Sequence, residues 1–172
     1  MDTTTALLLA NTLTFVVYVT LAVWYVVPWI RNQAWNVALA PLLWVHAFRH
    51  VALQVYSAQK AGLAVPDYFR DQIALGDVAG MVLAVIGLFA LRKPSRVAIP
   101  LIWLFVVVTA ADLVNAMIGG MREGMLGMAY GVTWLILVFY VPALWTTLAL
   151  IVWQLIARSR AALSEKSSST RP

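Results

Sequence analysis

Long apolar runs separated by short polar stretches make up this chain. A helix that crosses a bilayer needs about 20 mostly apolar residues, and five segments qualify: about 6–30, 37–58, 66–91, 97–118 and 131–157. Pro66 suits the first position of the third. The pattern predicts an all-α fold, a polytopic membrane bundle of five transmembrane helices forming one domain over 1–157. The remaining stretch, 158–172, is polar and serine-rich, and is expected to be a disordered cytoplasmic tail.

Composition agrees with the pattern. Of 172 residues, 63% are hydrophobic and 11% charged, and the mean hydropathy is +0.86. A soluble domain of this size has no means of hiding so much apolar surface. The net charge of +5 does not point to nucleic acid, because the basic residues lie in loops and at the C-terminus. Their distribution sets the expected orientation. Lys60, Arg70 and Arg122 fall on one side. Arg31, Arg92, Lys93, Arg96, Arg158, Arg160, Lys166 and Arg171 fall on the other. That excess puts the C-terminus in the cytoplasm and the N-terminus outside. Trp24, Trp29, Trp35 and Trp153 then lie near the inner interface, as an aromatic belt would. The absence of cysteine excludes disulfides and thiol chemistry. The N-terminus lacks a basic region before its apolar run, so the first segment is expected to remain as a span.

The chemistry lies in the few polar residues inside the apolar runs. His46, Arg49 and His50 sit in the second segment, Asp77 in the third and Asp112 in the fourth. Ionisable groups at membrane depth are costly, so they are paired, buried or functional. Helical spacing predicts one face carrying His46, His50, Gln54 and Ser57, with Arg49 beside it, and another carrying Asp112 and Asn115. Asn11, Thr14, Tyr130 and Thr133 fall at similar depth. The expectation is a single polar pocket in the outer half of the bilayer, opening outward and lined by His46, Arg49, His50, Gln54, Asp77, Asp112 and Asn115. A stripe of Gly76, Gly80, Ala84 and Gly87 beside Asp77 allows close helix packing. Pro41 and Pro142 are expected to kink their helices and free backbone carbonyls.

One arginine does not neutralise two carboxylates. A carboxyl stays protonated, a histidine is charged, or a cation binds. His46 and His50 have the spacing of a two-histidine half-site for a divalent metal, which Asp77 or Asp112 would complete. Ala47 stands where the metalloprotease motif has glutamate. Haem is disfavoured, since both histidines lie on one helix. Met117, Met121, Met125 and Met128 recur at helical spacing and read best as an adaptable apolar surface, although thioethers also select soft metals.

The size, five spans and eight tryptophans resemble the tryptophan-rich TspO/translocator family in composition only. That family's proline-and-tryptophan loop is replaced here by Arg31-Asn32-Gln33-Ala34-Trp35-Asn36, so none of its residues is carried over. His46-Ala47-Phe48-Arg49-His50, Gly76-Asp77 and Ala111-Asp112-Leu113 resemble a group of small bacterial multi-pass proteins of unknown function. This resemblance implies an inner-membrane setting and no activity. Three functions stand open. The first is binding or transport of a small lipophilic or amphipathic molecule, or a proton relay. The second is a membrane-embedded enzyme, metal-dependent or not, with His46, His50, Asp77 and Asp112 as catalytic candidates. The third is a structural subunit partnered by other membrane proteins or by copies of itself.

Overall fold

In the computed structural model, which describes residues 1–92 and 97–169, the apolar runs become helices, and no strand occurs among the described residues. Four helices are long and apolar enough to cross a membrane: Thr3–Arg31, Asp67–Arg92, Ala98–Arg122 and Gly131–Arg158. We label Thr3–Arg31 α1, the composite rod 35–60 α2, Asp67–Arg92 α3, Ala98–Arg122 α4, the short turn Met125–Met128 α5 and the rod 131–169 α6.

The expected second span is not one uninterrupted helix. It is built from α-helix over Trp35–Ala47, a 3-10 stretch over Phe48–Gln54 and α-helix again over Val55–Lys60. Pro41 lies inside the first piece without ending it. A 3-10 helix turns every three residues. The buried positions follow that period: His46, Arg49, Ala52 and Val55 point inward, whereas His50, Leu53 and Tyr56 are exposed. The face expected from α-helical spacing, 46-50-54-57, is therefore split. The 3-10 stretch rotates every residue after Phe48 away from the place that 3.6 residues per turn would give it.

Two π-helical turns, Ala22–Val26 and Ile136–Tyr140, each lie just ahead of a proline, Pro28 and Pro142. The second has a clear local chemistry. The Val141 N–H bonds the Ile136 carbonyl, five residues back. The next donor in that register would be Pro142, which has no N–H. The Leu137 carbonyl is thus released, and the Asn11 side chain of α1 donates to it at 2.6 Å. The freed carbonyl expected from Pro142 serves as a helix-to-helix link.

α3 packs along α4 and α2, while α6 packs against α2 and α1. The N-terminus and the turns after α2 and α4 gather at one end. There, Tyr130 Oη donates to the Ala61 carbonyl at 2.6 Å and Tyr68 Oη to Glu123 at 2.5 Å. At the other end Arg31 lies over Trp153 at 5.7 Å and Arg158 over Trp35 at 4.0 Å. One apolar cluster, around Leu43, Ile102, Phe105 and Ile151, fills the bundle toward the second end. A smaller one, around Val55, Leu63, Phe69 and Met125, fills it toward the first. The buried polar residues of α2 lie between the two. α6 runs on to Ser169, so the tail expected to be disordered from 158 is helical that far, in keeping with its alanine, leucine, glutamate and lysine content. Lys93 and Arg96, which weigh in the orientation argument, and residues 170–172 of the expected tail lie outside the described residues.

Candidate functional site

Arg49 is the largest fully buried side chain, and it sits between two carboxylates. Its Nε donates to Asp77 Oδ1 at 2.6 Å, and its Nη2 donates to Asp112 Oδ2. α2 thus joins α3 and α4 through one guanidinium. Glycines make the approach feasible. A Cβ on Gly76 would run into the Asp112 carboxylate, and one on Gly80 would lie 2.7 Å from Arg49 Nη1. Two members of the small-residue stripe on α3 are therefore spaces occupied by the charged groups. Gly87, a third, meets Leu43 at ordinary contact distance.

The accessible side of this cluster is acidic. The Arg49 side chain is 0% exposed, while those of Asp77 and Asp112 retain 17% and 14%. Both carboxylates border a cavity of about 360 Å³ enclosed by α1, α2, α3, α4, α5 and α6. Its polar wall also includes Asn11, Gln54 and Thr133, with Gln54 Nε2 donating to Thr133 Oγ1 at 3.1 Å. The rest is apolar: Leu7, Leu113, Met117, Met121, Met125, Leu137, Tyr140 and Trp145 among others. Leu8 and Phe15 on α1 and Met117 and Met121 on α4 are lining residues that are also exposed, so the cavity has an apolar rim.

Of the residues expected to share one pocket, Arg49, Gln54, Asp77 and Asp112 are brought together, and His46, His50 and Asn115 are not. His46 is buried but points elsewhere. Its ring packs edge-on against Phe105 at 5.0 Å, and Nε2 lies 3.1 Å from Thr147 Oγ1. The Thr147 hydroxyl donates to the Ala143 carbonyl at 2.7 Å, so it accepts from His46, which places the imidazole proton on Nε2. His50 is exposed and bonds the Ala47 carbonyl at 3.3 Å. Asn115 is exposed as well; only Asp112 of that pair turns inward. The two histidines therefore form no half-site. Among the described residues no group of three or more His, Cys, Asp or Glu side chains is placed to hold a metal ion, so the candidate metal set does not fit one.

Thr109 was not singled out by its sequence context, yet it is fully buried. Among the described residues its Oγ1, His46 Nδ1 and Arg49 Nη1 are buried without a hydrogen-bond partner. Phe105, Thr109 and Asp112 share one face of α4. Tyr140 and Trp145 were also missed, because an aromatic residue in an apolar run gives no sign that it borders a cavity. Tyr140 Oη donates to the Val45 carbonyl at 2.7 Å, fixing α6 against α2 beside the ion cluster. Three of the four spaced methionines line the cavity, and Met128 packs instead against the cluster around Val55.

No curated protein and no solved structure matches this chain. The compositional likeness to the TspO/translocator family has no counterpart in the comparison that does match. That comparison is with a domain of unknown function, DUF8737, it spans residues 6–156, and the chain belongs to that family.

Proposed function

We propose that this chain is an integral membrane protein of five crossings that binds or transports a small lipophilic or amphipathic molecule in the cavity beneath α1 and α4, or relays protons there. The setting is a bacterial inner membrane, with the N-terminus outside and the C-terminus cytoplasmic. Five crossings are supported by the dimensions of α2. Its 26 consecutive residues rise about 1.5 Å each in α-helix and about 2.0 Å in 3-10 helix, roughly 40 Å in all. The grouping of the N-terminus with the turns after α2 and α4 at one end also fits an odd number of crossings. The eight-to-three division of basic residues supports the orientation.

The observation that carries the binding reading is the cavity itself. A space of about 360 Å³, apolar on most sides with a few converging polar groups, has the character of a small-molecule site. Ionisable groups held at membrane depth mark functional sites by default. One aspartate would suffice for a purely structural link to Arg49; the second carboxylate on the cavity wall favours binding over that role. Native mass spectrometry of the protein released from its own membranes tests this. Wild type is expected to retain a small lipophilic molecule, and Ala116→Trp, which fills the cavity from α4 and leaves Arg49, Asp77 and Asp112 unsubstituted, to lose it. Equal spectra from the two folded proteins would reject the reading.

A further inference from the structure

We propose that the occupant is a lipophilic cation, a protonated amine on an apolar body; this rests on the reading of the cavity as a binding site. The cavity presents negative charge and hides positive charge. All three residues border the cavity, but Arg49 has no accessible side-chain surface there, whereas both carboxylates keep some. The guanidinium is engaged on two sides, Nε with Asp77 and Nη2 with Asp112, and its Nη1 is packed beside Gly80 without a hydrogen-bond partner and without accessible surface. Each aspartate gives Arg49 one oxygen, Oδ1 of Asp77 and Oδ2 of Asp112. Among the described residues, the second oxygen of each accepts no hydrogen bond.

With one guanidinium against two carboxylates, the second carboxylate either takes a proton or keeps a negative charge in surroundings of low polarity, where a counter-charge is strongly favoured. The histidines do not supply it. His46 is bonded to Thr147 behind the cluster, and His50 lies on the outer surface. An anion entering the cavity would meet two carboxylates with accessible surface and an arginine with none. A neutral molecule would leave the second carboxylate to be neutralised by a proton alone. An ammonium group would supply donors to the carboxylates, and it also meets a polar acceptor and aromatic residues on the wall. Asn11 uses its amide nitrogen on Leu137, which leaves its amide oxygen as an acceptor. Tyr140 and Trp145 also line the cavity, and aromatic rings attract cations most when desolvated. The apolar rim of Leu8, Phe15, Met117 and Met121 suits a hydrocarbon tail leaving between α1 and α4.

Three probes with one tail and different heads test the idea: octylammonium, octanol and octanoate, each titrated into the full chain in lipid nanodiscs at neutral pH. An alkylammonium stays charged there, as a lysine side chain does. Octylammonium is expected to bind at least tenfold more tightly than either of the others. Asp112→Asn is expected to weaken it at least tenfold, and Ala116→Trp to abolish it. Octanol or octanoate binding as well or better would overturn the cation assignment while leaving the cavity as a binding site. No binding by any of the three to folded wild type would overturn both. Should Asp112→Asn fail to fold, the ranking of the three head groups on wild type alone still decides.

Discussion

Arg49 is buried because two carboxylates and two glycines make room for it. Removing one member of such a cluster strands the rest. Breaking a buried ion pair by deleting one partner costs about 3–5 kcal/mol, while replacing all partners by neutral groups of similar shape is far milder. Arg49→Met alone is therefore expected to destabilise the protein by several kcal/mol. Adding Asp77→Asn and Asp112→Asn to it should recover much of the loss. Denaturant titration in mild detergent checks this, and an additive series would argue against the cluster. The glycines give a sharper contrast. A Cβ at Gly80 would sit 2.7 Å from Arg49 Nη1 and 3.0 Å from Cζ, and the guanidinium is pinned on both sides. Gly80→Ala is expected to cost about 1–3 kcal/mol, as overpacking does. At Gly87 the nearest atom, Leu43 Cδ1, would be 3.4 Å away. Gly87→Ala is expected to be neutral or to stabilise by up to about 1 kcal/mol, since glycine is costly inside a helix. Similar losses at the two positions would contradict the assigned geometry.

At the scale of the element, what was legible followed from charge and apolar length, and what was not followed from local helix type. Arg49, Asp77 and Asp112 stand out in any reading, because a charge in an apolar run has few affordable surroundings. The grouping of His46 with His50 and of Asp112 with Asn115 assumed an α-helical period. For the histidines that period fails at Phe48, where neither proline nor glycine in Ala47-Phe48-Arg49-His50-Val51 marks a tighter turn. For Asp112 and Asn115 the period holds, but the two straddle the edge of the buried face, and neighbouring helices decide which side each falls on. The cavity wall was illegible for another reason. Leu113, Tyr140 and Trp145 have the same apolar character whether they meet a helix, lipid or an empty space. Pro142 was legible, and its consequence is testable. Asn11→Ala removes the side chain that donates to the released Leu137 carbonyl, and a net hydrogen bond is worth about 0.5–1.5 kcal/mol. Pro142→Ala supplies an N–H and removes the cause of the release. The two changes are expected to couple, so that Asn11→Ala costs less on the Pro142→Ala background. Strict additivity in a double-mutant cycle would show that the π turn does not depend on the proline.

For the whole molecule, the proposed arrangement has α1, α2, α3, α4 and α6 crossing the membrane, with the acidic wall between two apolar clusters and an apolar rim on α1 and α4. Orientation is tested with reporter fusions after Lys60 and after Pro172, which are expected to report opposite sides of the membrane. Matching sides would remove the five-crossing arrangement. The most direct measurement concerns the cavity and its surroundings. The chain has no cysteine, so a single Ala116→Cys, one turn from Asp112, takes a nitroxide label at one place only. Relaxation by oxygen, which concentrates in hydrocarbon, and by a water-soluble nickel chelate then reports what reaches that wall in a bilayer. High oxygen and low nickel accessibility are expected, with a label less mobile than one at the exposed Val114. Nickel accessibility as high as at a loop position such as Ala61 would place the wall in water and contradict a membrane-embedded site.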